Sequence, residues 1–459
     1  MNGDVAAAER PSPLLRLALL ALLVVLLQIP ILAIAHLVHE RQTRRDAAVA
    51  EVSGKWGRSQ SLTGPVLSVP YRIREERVRP DGVHVVSERI ARATFLPEDL
   101  SVRGTLVPET RRRGIFAIPV YALDLAFEGS FAPPDVGALG LADADMDWEH
   151  AEVALGVSDV RAIQERTSLT WGGAPVEFLP GAGNLDGAAA GLHAPAKLAA
   201  AAAGRAAAVR FAFPLKLHGS VGASFTPAGR QTDVRLTSTW PGPNFNGDWL
   251  PAERTVTKDG FTAHWSIPYL GRNVAQQWTS REEQGTRLAA TRFGLDLVES
   301  VDAYRMTERS VKYASLFLVM TLLAVWLAEV LAGIAVHPIQ SLFLCTALCL
   351  FYLLELSLAE HVGFVPAYLA ASAAVTAMIG AYGCVALGTV RRGVALGAGI
   401  AALYGYLYVV LVSEDHALLV GSIGLFVLLG LAMFATRHVD WNRLERPRRA
   451  PELRGAPAD

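Results

Sequence analysis

Apolar and polar positions follow three regimes along this chain. Residues 14–37 are almost uniformly apolar, with Arg16 and His36 near the ends of the run. Residues 38–312 hold no comparable run. Five more then follow, at 313–336, 339–359, 364–387, 394–412 and 417–435. A helix needs about 20 consecutive apolar residues to cross a bilayer core, so the pattern predicts six spans. The separators agree with that reading. "GIAVHP" (333–338) ends one helix with Gly and opens the next with Pro, the usual asymmetry of helix ends. "EHVGFVP" (360–366) carries charge, Gly and Pro, "TVRRG" (389–393) is basic, and "SEDH" (413–416) is acidic.

Between the first run and the others the period is mostly two. "GPVLSVPYRI" (64–73), "GVHVVSERIARATF" (82–95), "GIFAIPVYALDLAFEGSF" (114–131), "AVRFAFPLKLHGSV" (208–221) and "TDVRLTSTW" (232–240) alternate or run in β-branched and aromatic residues. "RPDG", "TPAG" and "TKDG" supply turns. These are expected to be antiparallel strands in two sheets or subdomains. The Gly/Ala-rich stretch 181–208 lacks the large apolar side chains that would offset ordering. It reads as a flexible loop or marginal helix, and as the internal boundary. The predicted fold class is an α+β membrane protein: one N-terminal transmembrane helix, a β-rich periplasmic domain, then a five-helix C-terminal bundle. Its segments are a cytoplasmic N-terminus (1–13), the first span (14–37), the periplasmic domain with helical stalks (38–312), the bundle (313–435) and a basic cytoplasmic tail (436–459).

The junction "VDAYRMTERSVKYASLFLVM" (301–320) passes from charged to apolar, and no Gly or Pro occurs between Leu295 and Ala332. A continuous helix is therefore expected, long enough to project from the bilayer as a stalk. Asp302 and Arg305 are spaced i,i+3, and Glu308 and Lys312 i,i+4 in the favourable order. Leu297, Val301, Tyr304 and Val311 would form its apolar stripe. Asp302, Arg305, Glu308, Arg309 and Lys312 are the candidate coupling residues.

Orientation follows from basic residues in short loops. Arg391 and Arg392 share a loop side with the arginine-rich tail, whereas the loops at 360–363 and 413–416 hold neither Lys nor Arg. Both termini are thus expected in the cytoplasm and the long segment outside. Arg41, Arg44 and Arg45 argue weakly the other way. "AIA" at 33–35 resembles a signal-peptidase site, but the apolar run exceeds the usual signal length, so an uncleaved anchor is expected. The chain of 459 residues is 52% hydrophobic and 19% charged, with a net charge of −1. That balance suits a two-part membrane protein and argues against nucleic acid as a partner. The three cysteines, Cys345, Cys349 and Cys384, lie in apolar runs, so no disulfide framework is expected in the polar part.

Chemistry is sparse. No nucleophile elbow, zincin, Walker or dinucleotide motif occurs, so neither an enzyme nor a cofactor is expected. Cys345 and Cys349 share a helix face without a further ligand and read as small hydrophobes. His36 and His39 read as interfacial residues. Ser158 beside Asp159 could serve a hydrolase, but a helix cap explains the pair as well. "WPGPNFNGDWLP" (240–251) places Trp240, Phe245 and Trp249 around a turn, either a recognition groove or an aromatic corner. Glu329 and Glu355 lie inside apolar runs, where a carboxylate is costly and so a functional candidate. Gly393, Gly397, Ala401 and Gly405 recur every fourth residue, a smooth face for helix packing.

Taken together, "SLTGPVLSVPY", "GVSDVRAI", "STWPGPNFNGDWLP", "RFGLDLVESVDAYRMTERSVKY", "HPIQSLFLC", "LAEHVGF", "LYGYLYVVLVSEDHALLVGS" and "RHVDW" resemble the CreD family of bacterial inner-membrane proteins, often labelled cell-envelope integrity proteins. The resemblance runs from the first span to Trp441. It implies an envelope stress response under a two-component system, with effects on β-lactam response and colicin tolerance. It carries no established catalytic residue or substrate. Membrane lipid and an unidentified envelope component or membrane protein are the expected partners. A transporter or lipid-handling role built on the intramembrane carboxylates, and a hydrolase of envelope polymers, are the alternatives.

Overall fold

The computed structural model describes residues 13–78, 84–198, 207–297, 303–332, 337–413 and 416–437. The chain forms two compact units, Asp46–Ser300 and Met1–Arg45 with Val301–Asp459. The strands in chain order are β1 (Gln60–Val78), β2 (His84–Phe95), β3 (Asp99–Arg113), β4 (Phe116–Phe131), β5 (Glu152–Val157), β6 (Ser168–Trp171), β7 (Ala174–Glu177), β8 (Leu179–Pro180), β9 (Gly191–Pro195), β10 (Val209–Ser220), β11 (Gly222–Phe225), β12 (Gln231–Ser238), β13 (Pro243–Gly247), β14 (Glu253–Thr257), β15 (Gly260–Pro268), β16 (Gln277–Thr279) and β17 (Phe293–Leu297). The helices are α1 (Pro13–Trp56), α2 (Gln284–Ala290), α3 (Ala303–Lys312), α4 (Ala314–Ala332), α5 (Pro338–Val362), α6 (Phe364–Ala386), α7 (Val390–Val412) and α8 (Ala417–Thr436).

The first of these units is built on two sheets. One runs β13-β17-β11-β1-β5-β9-β8, with β2 on β1 and β16 on β2; the other runs β14-β15-β12-β3-β4-β10-β6-β7. The expectation of wholly antiparallel pairing is corrected here, because β1 pairs β11 and β3 pairs β12 in parallel. Single strands cannot show this: period two marks a half-buried face, not the direction of the neighbour. One core joins residues of both sheets, among them Val69, Leu123, Trp265 and Leu295. On β4, Tyr121, Leu123, Leu125 and Phe127 turn to that core, while Ile118 and Val120 face the other way. There they meet Ala48, Val49, Val52 and Trp56 from the end of α1. Trp56 also stacks on His218 at 3.9 Å, and its indole N–H donates to the Tyr121 carbonyl at 3.3 Å.

Within the Gly/Ala-rich stretch, the described residues 181–198 pack on the sheet. Ala182, Leu185, Ala194, Ala196 and Leu198 are buried, and β9 pairs β5. Small side chains suffice because the neighbouring strand approaches closely: a Cβ on Gly191 would collide with the Leu155 carbonyl oxygen. Residues 199–206 lie outside the described residues.

In the second unit, the expected six spans and five-helix bundle are overturned. Among the described residues four helices are long and apolar enough to cross a membrane: Ala18–Trp56, Ile339–Val362, Phe364–Ala386 and Val390–Val412. Two further apolar stretches, Ala314–Leu323 within α4 and Ala417–Leu431 within α8, fall short of that length over the described residues. What stands is an N-terminal apolar helix, a large mixed-sheet domain and a C-terminal cluster of apolar helices. The cluster also contains the polar α3.

The single helix expected from Leu295 to Ala332 is likewise corrected. Phe293–Leu297 is a strand, hydrogen-bonded to β11 and β13, with Phe293, Leu295 and Leu297 buried. Three apolar residues at period two suit one face of a paired strand better than a helix stripe. The helix resumes at Ala303, and a turn at Tyr313 separates α3 from α4.

Candidate functional site

The aromatic corner of the β unit is part of its packing. Phe245 meets Phe261 and Trp265 edge to face at 5.8 and 5.7 Å, and Trp249 meets Phe293 at 6.4 Å. The Trp249 carbonyl accepts from the Trp265 indole at 3.2 Å, and the Trp240 indole donates to the Gly242 carbonyl at 3.1 Å. All three rings are partly buried against the core. Ser158 is engaged with the start of β1: its hydroxyl donates to the Ser59 carbonyl at 3.0 Å and accepts from the Ser61 N–H at 2.9 Å. Asp159, not Ser158, caps the 3-10 turn Val160–Ala162, accepting from the Arg161 N–H. The Arg161 guanidinium beside it holds its carboxyl below the usual range.

In the helical unit the residues singled out at the junction separate. Asp302 lies outside the described residues. Arg305, Glu308 and Lys312 are exposed and Arg309 is half-buried, while Glu308 accepts from the Gln42 amide at 3.1 Å. Glu329 falls on α4; its side chain is outside the described residues. The opposite face of α3 is buried, and it presents Tyr304, Thr307, Ser310 and Val311. α3 is therefore a packed element of this unit and not a projecting stalk.

That buried face meets α5. The Ser310 hydroxyl donates to Oε2 of Glu355 at 2.8 Å, and both residues are 0% exposed. The Tyr304 hydroxyl donates to Oε1 of Glu360 at 3.0 Å, with the Arg41 guanidinium 3.7 Å from the same oxygen. Two carboxylates of α5 are thus matched by two hydroxyls of α3 along one contact. Around Glu355 stands an aromatic wall. Phe351 lies 4.9 Å from Tyr352, 5.4 Å from Tyr368 and 4.4 Å from Tyr404. The Tyr368 hydroxyl donates to the Tyr404 carbonyl at 2.7 Å, tying α6 to α7. Glu355 is within electrostatic reach of Tyr352, Tyr368 and Tyr404. Among the described residues, Oε1 of Glu355, the hydroxyls of Tyr352 and Tyr404 and that of Thr307 are buried without a hydrogen-bond partner. Buried polar atoms are normally paired, so four in one neighbourhood mark it out.

In the sequence, Glu355 was singled out as a candidate by its cost in an apolar run. It missed Thr307, Ser310, Tyr352 and Tyr368. A signal was present: Tyr304, Thr307 and Ser310 recur every third residue, a hydroxyl stripe distinct from the charged one. Among the described residues no group of three or more His, Cys, Asp and Glu side chains could hold a metal ion.

These features define a multi-pass membrane protein with a large extramembrane β domain and a buried carboxylate centre among its helices. The model of the family described as "Inner membrane protein CreD" matches residues 12–442. The Escherichia coli (strain K12) protein of that name is 31% identical over 430 residues, 93% of each chain. The chain belongs to the CreD family. It is a multi-pass protein of the bacterial inner membrane, and its large extramembrane domain is periplasmic.

Proposed function

We propose that this protein acts without catalysis in cell-envelope integrity and stress response, and that its helical unit carries the functional centre at Glu355. The observation that carries this reading is a wholly buried glutamate. Its Oε2 takes the Ser310 hydroxyl, while its Oε1 faces no donor among the described residues. A carboxylate in that setting costs several kcal/mol after relaxation, and a helix cluster needing only packing is more stable with Leu or Met there. The β domain is assigned to recognising an envelope component or a membrane partner. Recognition through Trp240, Phe245 and Trp249 has less support, since those rings already pack on the domain core. Hydrolysis at Ser158 also has less, since its hydroxyl is held by backbone groups.

The test is complementation. Glu355→Gln keeps the shape and removes the acidic group. It should fail to restore envelope-stress tolerance in a strain lacking the native copy, at membrane abundance equal to wild type. Full restoration by Glu355→Gln would remove the proposal. A second reading, that the helical unit handles a small ion, is favoured by the unpartnered oxygens.

A further inference from the structure

The four unpartnered atoms of the helical unit share one chemistry. Each is an oxygen with lone pairs to offer, and each belongs to a residue no more than 2% exposed: Glu355 and Thr307 at 0%, Tyr352 at 1%, Tyr404 at 2%. The fold places them close together. Ser310 fixes α3 on Glu355, and Thr307 is one turn away from Ser310 on the same buried face. Tyr352 is one turn from Glu355 on α5. Tyr404 joins them from α7 through its ring contact with Phe351. Three helices contribute, so no single helix would show the set.

Besides water, three charged species could engage such atoms. A proton on Oε1 neutralises the carboxylate but supplies only one donor, leaving the remaining hydroxyl lone pairs as they were. A divalent cation would leave a net positive charge. Among the described residues Glu355 is the one carboxylate at this point, and Glu360 is already matched by Tyr304 and Arg41. Uncompensated charge in a dry interior is costly. A monovalent cation cancels the carboxylate and engages several oxygens at once. Carboxylate and hydroxyl oxygens are the ligands that hard cations take, whereas thiolate and imidazole suit transition metals. The free thiols of Cys345 and Cys349 lie buried on the same helix, but sulfur is a soft ligand that suits transition metals.

We propose that Glu355, Tyr352 and Tyr404, with Thr307 beside them, form a binding site for one monovalent hard cation of the sodium class. The proposal rests on the assignment of the functional centre to Glu355 and names what that centre takes. Ser310 acts as a positioning residue, holding Oε2 so that Oε1 stays directed at the ion. The Tyr304–Glu360–Arg41 group marks the end of the same α3–α5 contact nearer the helix terminus, where an ion would meet charge before entering.

The experiment uses the full chain in lipid nanodiscs, with radiolabelled sodium as probe and choline holding ionic strength constant. Saturable binding of about one ion per chain is expected, displaced by unlabelled NaCl. Glu355→Gln should abolish it, and Tyr352→Phe and Tyr404→Phe should each weaken it about tenfold. Ser310→Ala should weaken binding, with Ser310→Thr restoring it. Parallel melts should show the wild type, but not Glu355→Gln, stabilised by sodium over choline. Absence of saturable binding between pH 6 and 8, or binding unchanged in Glu355→Gln, overturns the site. Absence of binding with complementation still lost in Glu355→Gln overturns the cation while leaving the functional centre standing. Binding that Glu355→Gln abolishes, with full complementation by that variant, supports the cation site and removes the functional centre.

Discussion

Arg272 is only 2% exposed, yet every acceptor around it is neutral. Its guanidinium donates to the carbonyls of Pro227, Ala228 and Gly229 at 2.8, 2.8 and 2.6 Å, to that of Val274 at 3.4 Å and to the Gln276 amide oxygen at 2.5 Å. Gln276 in turn donates to Leu96 and Pro97, so one side chain latches three segments of the β unit. Burial, aided by the nearby Arg230 charge, lowers its pKa to about 10. Below pH 10 it is charged whether folded or unfolded, so it gives no slope in stability there. Above that value, up to the ordinary arginine range, the unfolded chain binds more protons, and stability from this group rises with pH. At neutral pH the buried charge is a cost offset by its hydrogen bonds. Arg272→Met strands at least three carbonyls and should cost about 3 kcal/mol. Chemical denaturation of the β unit checks it, and a loss under about 1 kcal/mol would mean the carbonyls find other donors. Nothing in the sequence separates this arginine from its neighbours, because its partners are backbone atoms brought by distant turns.

Among the elements, α3 repays comparison with its sequence. The segment 303–312 was readable as an amphipathic helix, and Tyr304 and Val311 do lie on its buried face. Its destination was not readable. Charge suggested a solvated stalk, whereas the helix turns its hydroxyls inward to meet Glu355 and Glu360. The two faces have different chemistry, and only a partner helix decides which is covered. Gly-Gly inserted after Arg309 tests this. Two extra residues rotate Ser310 and the rest of the helix by about 200° relative to Tyr304, so the Tyr304–Glu360 and Ser310–Glu355 bonds cannot both persist. The melting temperature of the helical unit should fall by about 5 °C or more, measured on the full chain in detergent. An unchanged transition would indicate a loose tether.

For the molecule as a whole, the division into units makes the β unit a candidate for independent folding. Its core joins both sheets, and α1 residues from Ala48 to Trp56 cover the opposite face of β4 from within the same unit. A chain of this size buries roughly three-quarters of the surface its unfolded form exposes. Residues 46–300 produced alone should be soluble, strand-rich by circular dichroism and cooperative in melting. Aggregation, or a broad transition, would show that the unit depends on the helices.

Hydropathy and its period are properties of single segments, so the membrane-seeking runs and the half-buried strands were legible from the chain alone. β1, β2, β4, β10 and β12 fall on the stretches read as strands, and Glu355 was marked by its apolar surroundings. Pairing direction, the burial of residues within 182–198 and the inward turn of α3 emerged only from packing. Each depends on which distant surface a segment covers. The same holds for the oxygens around Glu355: α3, α5 and α7 each bring part of the set, and their proximity exists only once the helices pack.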